Sequence, residues 1–297
     1  MKNILVFGGS GLVGSKFLES AKNIFVINAP NAEETDILNQ EAIKDALKKF
    51  NPDIVINFAA YTDVQKAEEE KDKKLGIVYK INALGAKNIA NACKELDLKL
   101  IHISTDYVFE GTKSESAYTE EDLPNPVNWY GQTKFFGEEY VSKSGCDFTI
   151  VRISMPFTSY YGLKRDIARF FLNQLKENRK IKAITDQKVT PTYTQDIADA
   201  LIAILHKGCS GIYHVVSKNP TNPFDFAIMI AKSFGLDTSL IRPITLAEYN
   251  KNKKAKLLKY SWLDPTKFEK DFGDGVLHTI EESVELFKED VDEMDSN

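Results

Sequence analysis

The sequence predicts an α/β fold, a doubly wound parallel sheet followed by a smaller C-terminal lobe. Two observations predict it. Between residues 4 and 153 short apolar runs alternate with stretches of helical spacing, the pattern of parallel strands joined by right-handed helical crossovers. The first of those runs also ends in glycines and passes directly into a helix. With 297 residues, 43% of them hydrophobic, the chain is long enough to bury the large core such a fold needs.

Taken in order, Ile4–Phe7 reads as a strand, Gly8–Gly14 as a glycine turn and Ser15–Lys22 as a helix. Asn23–Asn28 is expected to be the second strand. Asn39–Lys49 is expected to be a helix, with Ile43, Ala46, Leu47 and Phe50 on one face. Asp53–Asn57 is a buried strand entered through Pro52, Tyr79–Leu96 one long helix, and Lys99–Ser104 the next strand. A helix carrying Tyr130 and Lys134 follows, then the strand Phe148–Ile153. Further helices are expected over 166–177, 195–206, 224–234 and 279–288, with a strand over 212–216 and an acidic, frayed tail from Glu289. This is a Rossmann-type arrangement. Residues 1–153, with about 186–212, form the dinucleotide-binding unit, and about 154–185 and 213–297 an interleaved, smaller substrate-binding lobe. Ligands of such sheets bind at the carboxyl ends of the strands.

The balance of 38 basic and 43 acidic residues leaves a net charge of -5, which offers no footprint for nucleic acid or an acidic membrane. Three cysteines, Cys93, Cys146 and Cys209, make no C-x-x-C pair and fit reduced thiols. No apolar stretch reaches the length of a membrane span, and the apolar run after Met1 is too short for a signal peptide. A cytoplasmic protein is expected. The exposed faces of its long helices leave room for a homodimer.

The chemistry gathers where the strands end. Gly8, Gly11 and Gly14 allow a tight turn and close backbone approach to a pyrophosphate, with a helix N-terminus beyond to supply donors; a plain turn is the bland alternative. A ribose-binding acid would stand at the end of the second strand, where this chain has Asn28 and no arginine. NADP is therefore favoured, with NAD left open. Asp36-Ile37 fits either an adenine contact or helix-start chemistry. Thr105 lies just past a strand end, where its hydroxyl can polarise a carbonyl. Tyr130 and Lys134 are four apart, which on a helix puts both on one face. An ammonium beside the phenol is expected to lower its pKa from the ordinary value of about 10 and so ease proton donation. His102 and His214 sit inside strands as core residues, and His206 and His278 lack partners at metal spacing, so no metal site is expected. There is no G-x-S-x-G and no Cys–His pattern to support a hydrolase.

These residues carry a resemblance to the extended short-chain dehydrogenases/reductases, and within them to the dTDP-4-dehydrorhamnose reductase family. The matching stretches are Gly8–Gly14, Asn57–Val64 with Lys66-Ala67-Glu68, Ile81-Asn82-Ala83, Ser104–Phe109, Tyr130–Lys134, Arg152-Ile153-Ser154, Asp186-Gln187 and Pro191–Thr194. The resemblance implies reduction of the 4-keto group of a nucleotide-linked 6-deoxyhexose with NADPH or NADH. It implies Thr105, Tyr130 and Lys134 as the catalytic trio and Asp106 as a sugar contact. Ser10, Gly11, Leu12, Asp36, Ile37, Ala59, Ala60 and Tyr61 would line the cofactor site, Tyr130 and Lys134 would touch its ribose, and Asn82 would be the asparagine kept beside it. Where the family places a tryptophan against the sugar, this chain has Met155, which leaves room for a different sugar, such as an N-acetylated one. Two alternatives stand beside the reductase: a nucleotide-sugar epimerase or dehydratase, and an NADP-binding regulatory subunit like that of methionine adenosyltransferase.

Overall fold

The computed structural model describes residues 1–159 and 166–296. The chain opens with β1 (Asn3–Phe7), α1 (Leu12–Ala21), β2 (Val26–Asn28), α2 (Gln40–Phe50) and β3 (Ile54–Asn57). Next come α3 (Val64–Glu69) and α4 (Ile77–Tyr79), then a π-helical turn at Lys80–Gly85 that runs into α5 (Ala86–Glu95). β4 (Lys99–Thr105) and a 3-10 turn at Asp106–Val108 precede α6 (Trp129–Lys143), β5 (Phe148–Ile153) and β6 (Pro156–Phe157). The later part holds α7 (Ile167–Lys176), β7 (Ile181–Ile184), β8 (Lys188–Val189), β9 (Thr192–Tyr193), α8 (Thr194–Lys207) and β10 (Gly211–His214). It closes with α9 (Pro223–Ser233), β11 (Ile241–Ile244), α10 (Leu246–Asn250), β12 (Tyr260–Ser261), α11 (Thr266–Phe272) and α12 (Ile280–Asp295).

Six strands form one parallel sheet in the order β10-β5-β4-β3-β1-β2. Its central strands are apolar on both faces because helices cover both. Ile4, Val6, Ile56 and Ile101 pack under α1 and α8, while Leu5, Phe7, Val55 and Leu100 pack under α2 and α5. A second core lies between α7, α9 and α12. The paired edges β6–β9, β7–β11 and β8–β12 belong to the later part. The strand β10 runs across the boundary expected at 212–213.

Four expectations are corrected. The second strand begins at Val26 instead of Asn23, because the amides of Ile24 and Phe25 bond back to the Ala21 carbonyl and prolong the helix end. The strand expected over 212–216 is Gly211–His214, although the Val215 amide still bonds the Arg152 carbonyl. The helix expected over 79–96 is interrupted by the π-turn around Asn82, a widening that often marks functional sites. Residues from Glu289 are helical rather than frayed: Thr279 and Glu282 form a capping box, and Ile280, Val284, Phe287 and Val291 continue one buried stripe. Tyr193 and Ser159 also donate hydrogen bonds to Asp290 in that last stretch.

Candidate active site

The glycine turn sits at the carboxyl end of β1. Gly8 has φ +74° and lies so close to the segment after β3 that a Cβ there would come within 2.4 Å of the Ala59 amide nitrogen. A Cβ on Gly14 would come within 2.7 Å of the Gly8 carbonyl oxygen, so the first turn of α1 rests directly on the loop. Gly11 caps α1 without a side chain, and Leu12 opens the helix. A glycine cradle ahead of a helix whose N-cap residue offers no side-chain cap fits a pyrophosphate.

Two asparagines hold the neighbouring strip. Asn57 accepts from the Ala59 amide at 3.0 Å and shares a hydrogen bond with His102 Nδ1 at 3.2 Å. Asn82 accepts from the Tyr61 amide at 2.7 Å and donates to the Tyr61 carbonyl at 3.1 Å and to Thr133 Oγ1 at 3.0 Å. The π-turn places Asn82 to do this, and Ala59, Ala60 and Tyr61 are thereby fixed along the sheet edge. Asn28 is exposed at the end of β2. The Asp36 carboxylate accepts the Leu38 amide at 2.9 Å in a turn ahead of α2, whose cap is Asn39 and not Asp36, while Ile37 packs against Gly85.

Thr105 and Tyr130 meet through a hydrogen bond beside this strip, with Lys134 one turn further along α6. Asn128 caps α6 by accepting the Gly131 amide at 2.9 Å, which places Tyr130 and Lys134 in the first turns, both buried. Helix and 3-10 turn touch at Gly131, where a Cβ would come within 2.1 Å of the Tyr107 carbonyl oxygen. The Tyr107 ring meets the Tyr130 ring edge-on at 5.6 Å. Thr105 Oγ1 donates to Asp106 at 2.9 Å and accepts the Tyr107 amide at 3.3 Å.

The expected lowering of the Tyr130 pKa by Lys134 is corrected. Burial pushes the phenol above its ordinary value; a hydrogen bond with Thr105 opposes this and the Asp106 charge adds to it. Lys134 instead donates to the Ile103 carbonyl at 2.7 Å, and burial lowers its own pKa to about 8 against the pull of Glu138. Spacing puts the two side chains on one face, but it says nothing of how deeply both are buried.

Asp106 is a hub. Besides Thr105 it accepts from Ser154 Oγ at 3.1 Å and from Ser261 Oγ of β12. Burial raises its pKa and the three hydroxyls oppose that. Next to it opens a cavity of about 210 Å³ whose walls include Tyr107, Met155, Lys182, Gln187 and Tyr249. Met155 adopts φ +41°, a left-handed conformation that glycine, asparagine and aspartate take readily and a methionine rarely does. A larger groove of about 610 Å³ runs past Met229, His278 and Glu285, away from every residue expected to act. Chemistry, not size, assigns the site. Sequence reasoning missed Ser261, Lys182 and Tyr249, which stand far along the chain with no local pattern to mark them.

A family model described as the RmlD substrate binding domain matches residues 1–292. The dTDP-4-dehydrorhamnose reductase of Mycolicibacterium smegmatis is 33% identical over 244 residues, 82% of this chain and 72% of that one. The spore coat polysaccharide biosynthesis protein SpsK of Bacillus subtilis is 32% identical over 84% of this chain and 85% of its own. Among solved structures, a dTDP-4-dehydrorhamnose reductase from Bacillus anthracis in complex with NADP superposes with a TM-score of 0.89 at 30% identity, covering 97% of this chain and 99% of that one.

Proposed function

The chain belongs to the family of the RmlD substrate binding domain, within the extended short-chain dehydrogenases/reductases, and on that footing we propose that it reduces the 4-keto group of a nucleotide-linked 6-deoxyhexose with NADPH. One observation carries the reading. Thr105 ends β4 beside Asp106, which lines the same cavity as Lys182, and it is hydrogen-bonded to Tyr130 on α6, with Lys134 one turn further along that helix.

NADPH, when bound, supplies the hydride for the carbonyl carbon. Tyr130 keeps its proton through the neutral range because burial raises its pKa, and it gives that proton to the sugar oxygen as charge develops there. Thr105 steadies the same oxygen. The Lys134 ammonium favours the tyrosinate that remains. Gly8, Ser10, Gly11, Leu12 and Gly14 hold the pyrophosphate. Asn28, Asp36, Ile37, Ala59, Ala60, Tyr61 and Asn82 border the rest of the cofactor, and NADH is the second cofactor this border accepts. Lys182 faces the substrate diphosphate, Tyr249 offers an aromatic surface to its base, and Met155 walls the sugar. In this reading residues 1–153 with 186–212 bind the cofactor and the remainder binds the sugar nucleotide. A homodimer and a cytoplasmic location belong to the same reading; no helix among the described residues is long and apolar enough to cross a membrane.

A dehydratase would need a further acid–base pair beside Thr105. Asp106 is the residue in that place, and its oxygens are already engaged by Thr105, Ser154 and Ser261, which favours simple reduction. The test is NADPH oxidation with dTDP-linked, UDP-linked and N-acetylated 4-keto-6-deoxy sugars, run beside Tyr130→Phe. Turnover that drops at least about a hundredfold in the variant supports the reductase. Tight NADPH binding without turnover of any of them overturns it in favour of a regulatory subunit.

A further inference from the structure

Two aromatic side chains stand exposed among the described residues, Phe170 at 43% and Tyr249 at 38%. Both line the cavity beside Asp106, although one comes from α7 and the other from α10. Burial is what normally holds an aromatic ring in a fold, so two exposed rings on one cavity are not accounted for by packing. Each stands on a fixed element. Asp166 caps α7 by accepting the Arg169 amide at 3.0 Å and Arg169 Nε at 2.7 Å, which sets Phe170 in the first turn beside buried Phe171. Thr245 and Glu248 form a capping box at the start of α10, and the Leu246 amide donates to Asp186 at 2.6 Å. The Asn250 side chain then accepts the Leu257 amide at 2.9 Å and donates to its carbonyl at 3.2 Å, closing the loop that follows. The Lys253 ammonium lies 4.9 Å from the centre of the Tyr249 ring and covers one of its faces.

We propose that Phe170 and Tyr249 hold the nucleobase of the substrate between them, so that the site grips the nucleotide by stacking. The proposal rests on the nucleotide-sugar reading above and adds the groups that take the base. Lys182 lines the same cavity and meets the diphosphate, while Asp106 and Met155 stand at the sugar. Ile184 and Leu257 add apolar wall. A flat ring with two π-faces suits two aromatics in such surroundings, and with Lys253 over one face of Tyr249 the base takes the other. Stacking tolerates any base, because every base has a π-face. The thymine and uracil bases differ by one methyl group, so dTDP and UDP are expected to bind within a few-fold of each other.

Isothermal titration of the full-length protein with dTDP, UDP and inorganic pyrophosphate tests this without turnover. The protein is first saturated with NADP, so that the glycine cradle is filled. Pyrophosphate carries the charge and lacks the base. Wild type is expected to bind both nucleotides at least about tenfold more tightly than pyrophosphate. Phe170→Ala and Tyr249→Ala should each weaken dTDP and UDP by about tenfold and leave pyrophosphate unchanged. Phe170→Trp keeps a stacking face and should hold the wild-type affinity. Should Tyr249→Ala fail to fold, Tyr249→Leu fills the space without a π-face and is expected to show the same loss. Unchanged dTDP affinity when either ring is removed, or a parallel loss of pyrophosphate, overturns the proposal. NADPH oxidation is a separate readout. Turnover of a nucleotide sugar with unchanged dTDP affinity in the variants removes the clamp alone, whereas ring-dependent dTDP binding without turnover keeps the clamp and removes the reductase reading.

Discussion

The Lys134 ammonium donates to the Ile103 carbonyl at 2.7 Å, which ties α6 to β4 directly under the site. A lysine this deeply buried is easily discharged, and its pKa of about 8 follows from burial. The rate should therefore fall as pH rises through about 8, where the Lys134 charge is lost. Lys134→Met fills similar space without the charge. It should lower kcat about a hundredfold or more and flatten that alkaline limb, with little change in denaturation midpoint. Steady-state kinetics across pH, with urea unfolding of both proteins, check this.

Ser261 reaches Asp106 from 155 positions along the chain, so one hydroxyl of β12 helps hold the group that orients Thr105. Ser261→Ala removes that donor from a buried carboxylate and should destabilise by about 1–3 kcal/mol near neutral pH. The sign with pH follows from Asp106, whose folded pKa lies above the ordinary 3.8. Above the raised value the folded state carries an unfavourable charge, and below 3.8 the acid is neutral in both states, so the penalty disappears on acidification. The variant should thus recover toward wild type as pH falls. Urea midpoints at neutral and acidic pH decide it, and a constant difference would count against the hub.

The strand–glycine–helix opening, and the strand and helix that carry Thr105, Tyr130 and Lys134, were legible because each depends on short-range spacing. Ser261 and Lys182 were not, since only the later lobe's folding against β4 and β5 brings them near. Asn82 was visible as a residue, but the π-turn that lets it clamp Tyr61 has no local signature. The acidic content of residues 289–295 masked the stripe Ile280, Val284, Phe287 and Val291 that makes them helical. The charge effect expected between Lys134 and Tyr130 failed for a related reason: periodicity reports a shared face and not the burial that dominates both groups.

Met155 walls the cavity from a left-handed backbone, φ +41°. Glycine has no steric objection to that conformation, whereas alanine keeps the strain and also loses the side chain. Met155→Gly should therefore be more stable than Met155→Ala by about 1 kcal/mol, although glycine is normally the worse residue. Both should raise KM for the sugar nucleotide more than they lower kcat, because they remove a wall and not a proton donor. Thermal unfolding with paired KM and kcat values tests this, and alanine proving the more stable would remove the backbone argument.

His102 and His214 are buried and held neutral, their pKa values well below 6.5; burial is the first cause in each, with Lys134 acting on His102 and Arg152 on His214. In the unfolded chain both take up a proton near the ordinary value. Below about pH 6.5 the unfolded state thus binds more protons than the folded one, and stability is lost as pH falls. Each histidine contributes about 1.4 kcal/mol per pH unit until its folded pKa is reached. His102→Gln keeps a side-chain acceptor for the Asn57 amide and removes one titration. Its stability should therefore fall less steeply between about pH 6.5 and 5, by about 1.4 kcal/mol per unit relative to wild type. Urea titrations at closely spaced pH values read that slope, and parallel curves for the two proteins would mean that His102 is protonated in the fold.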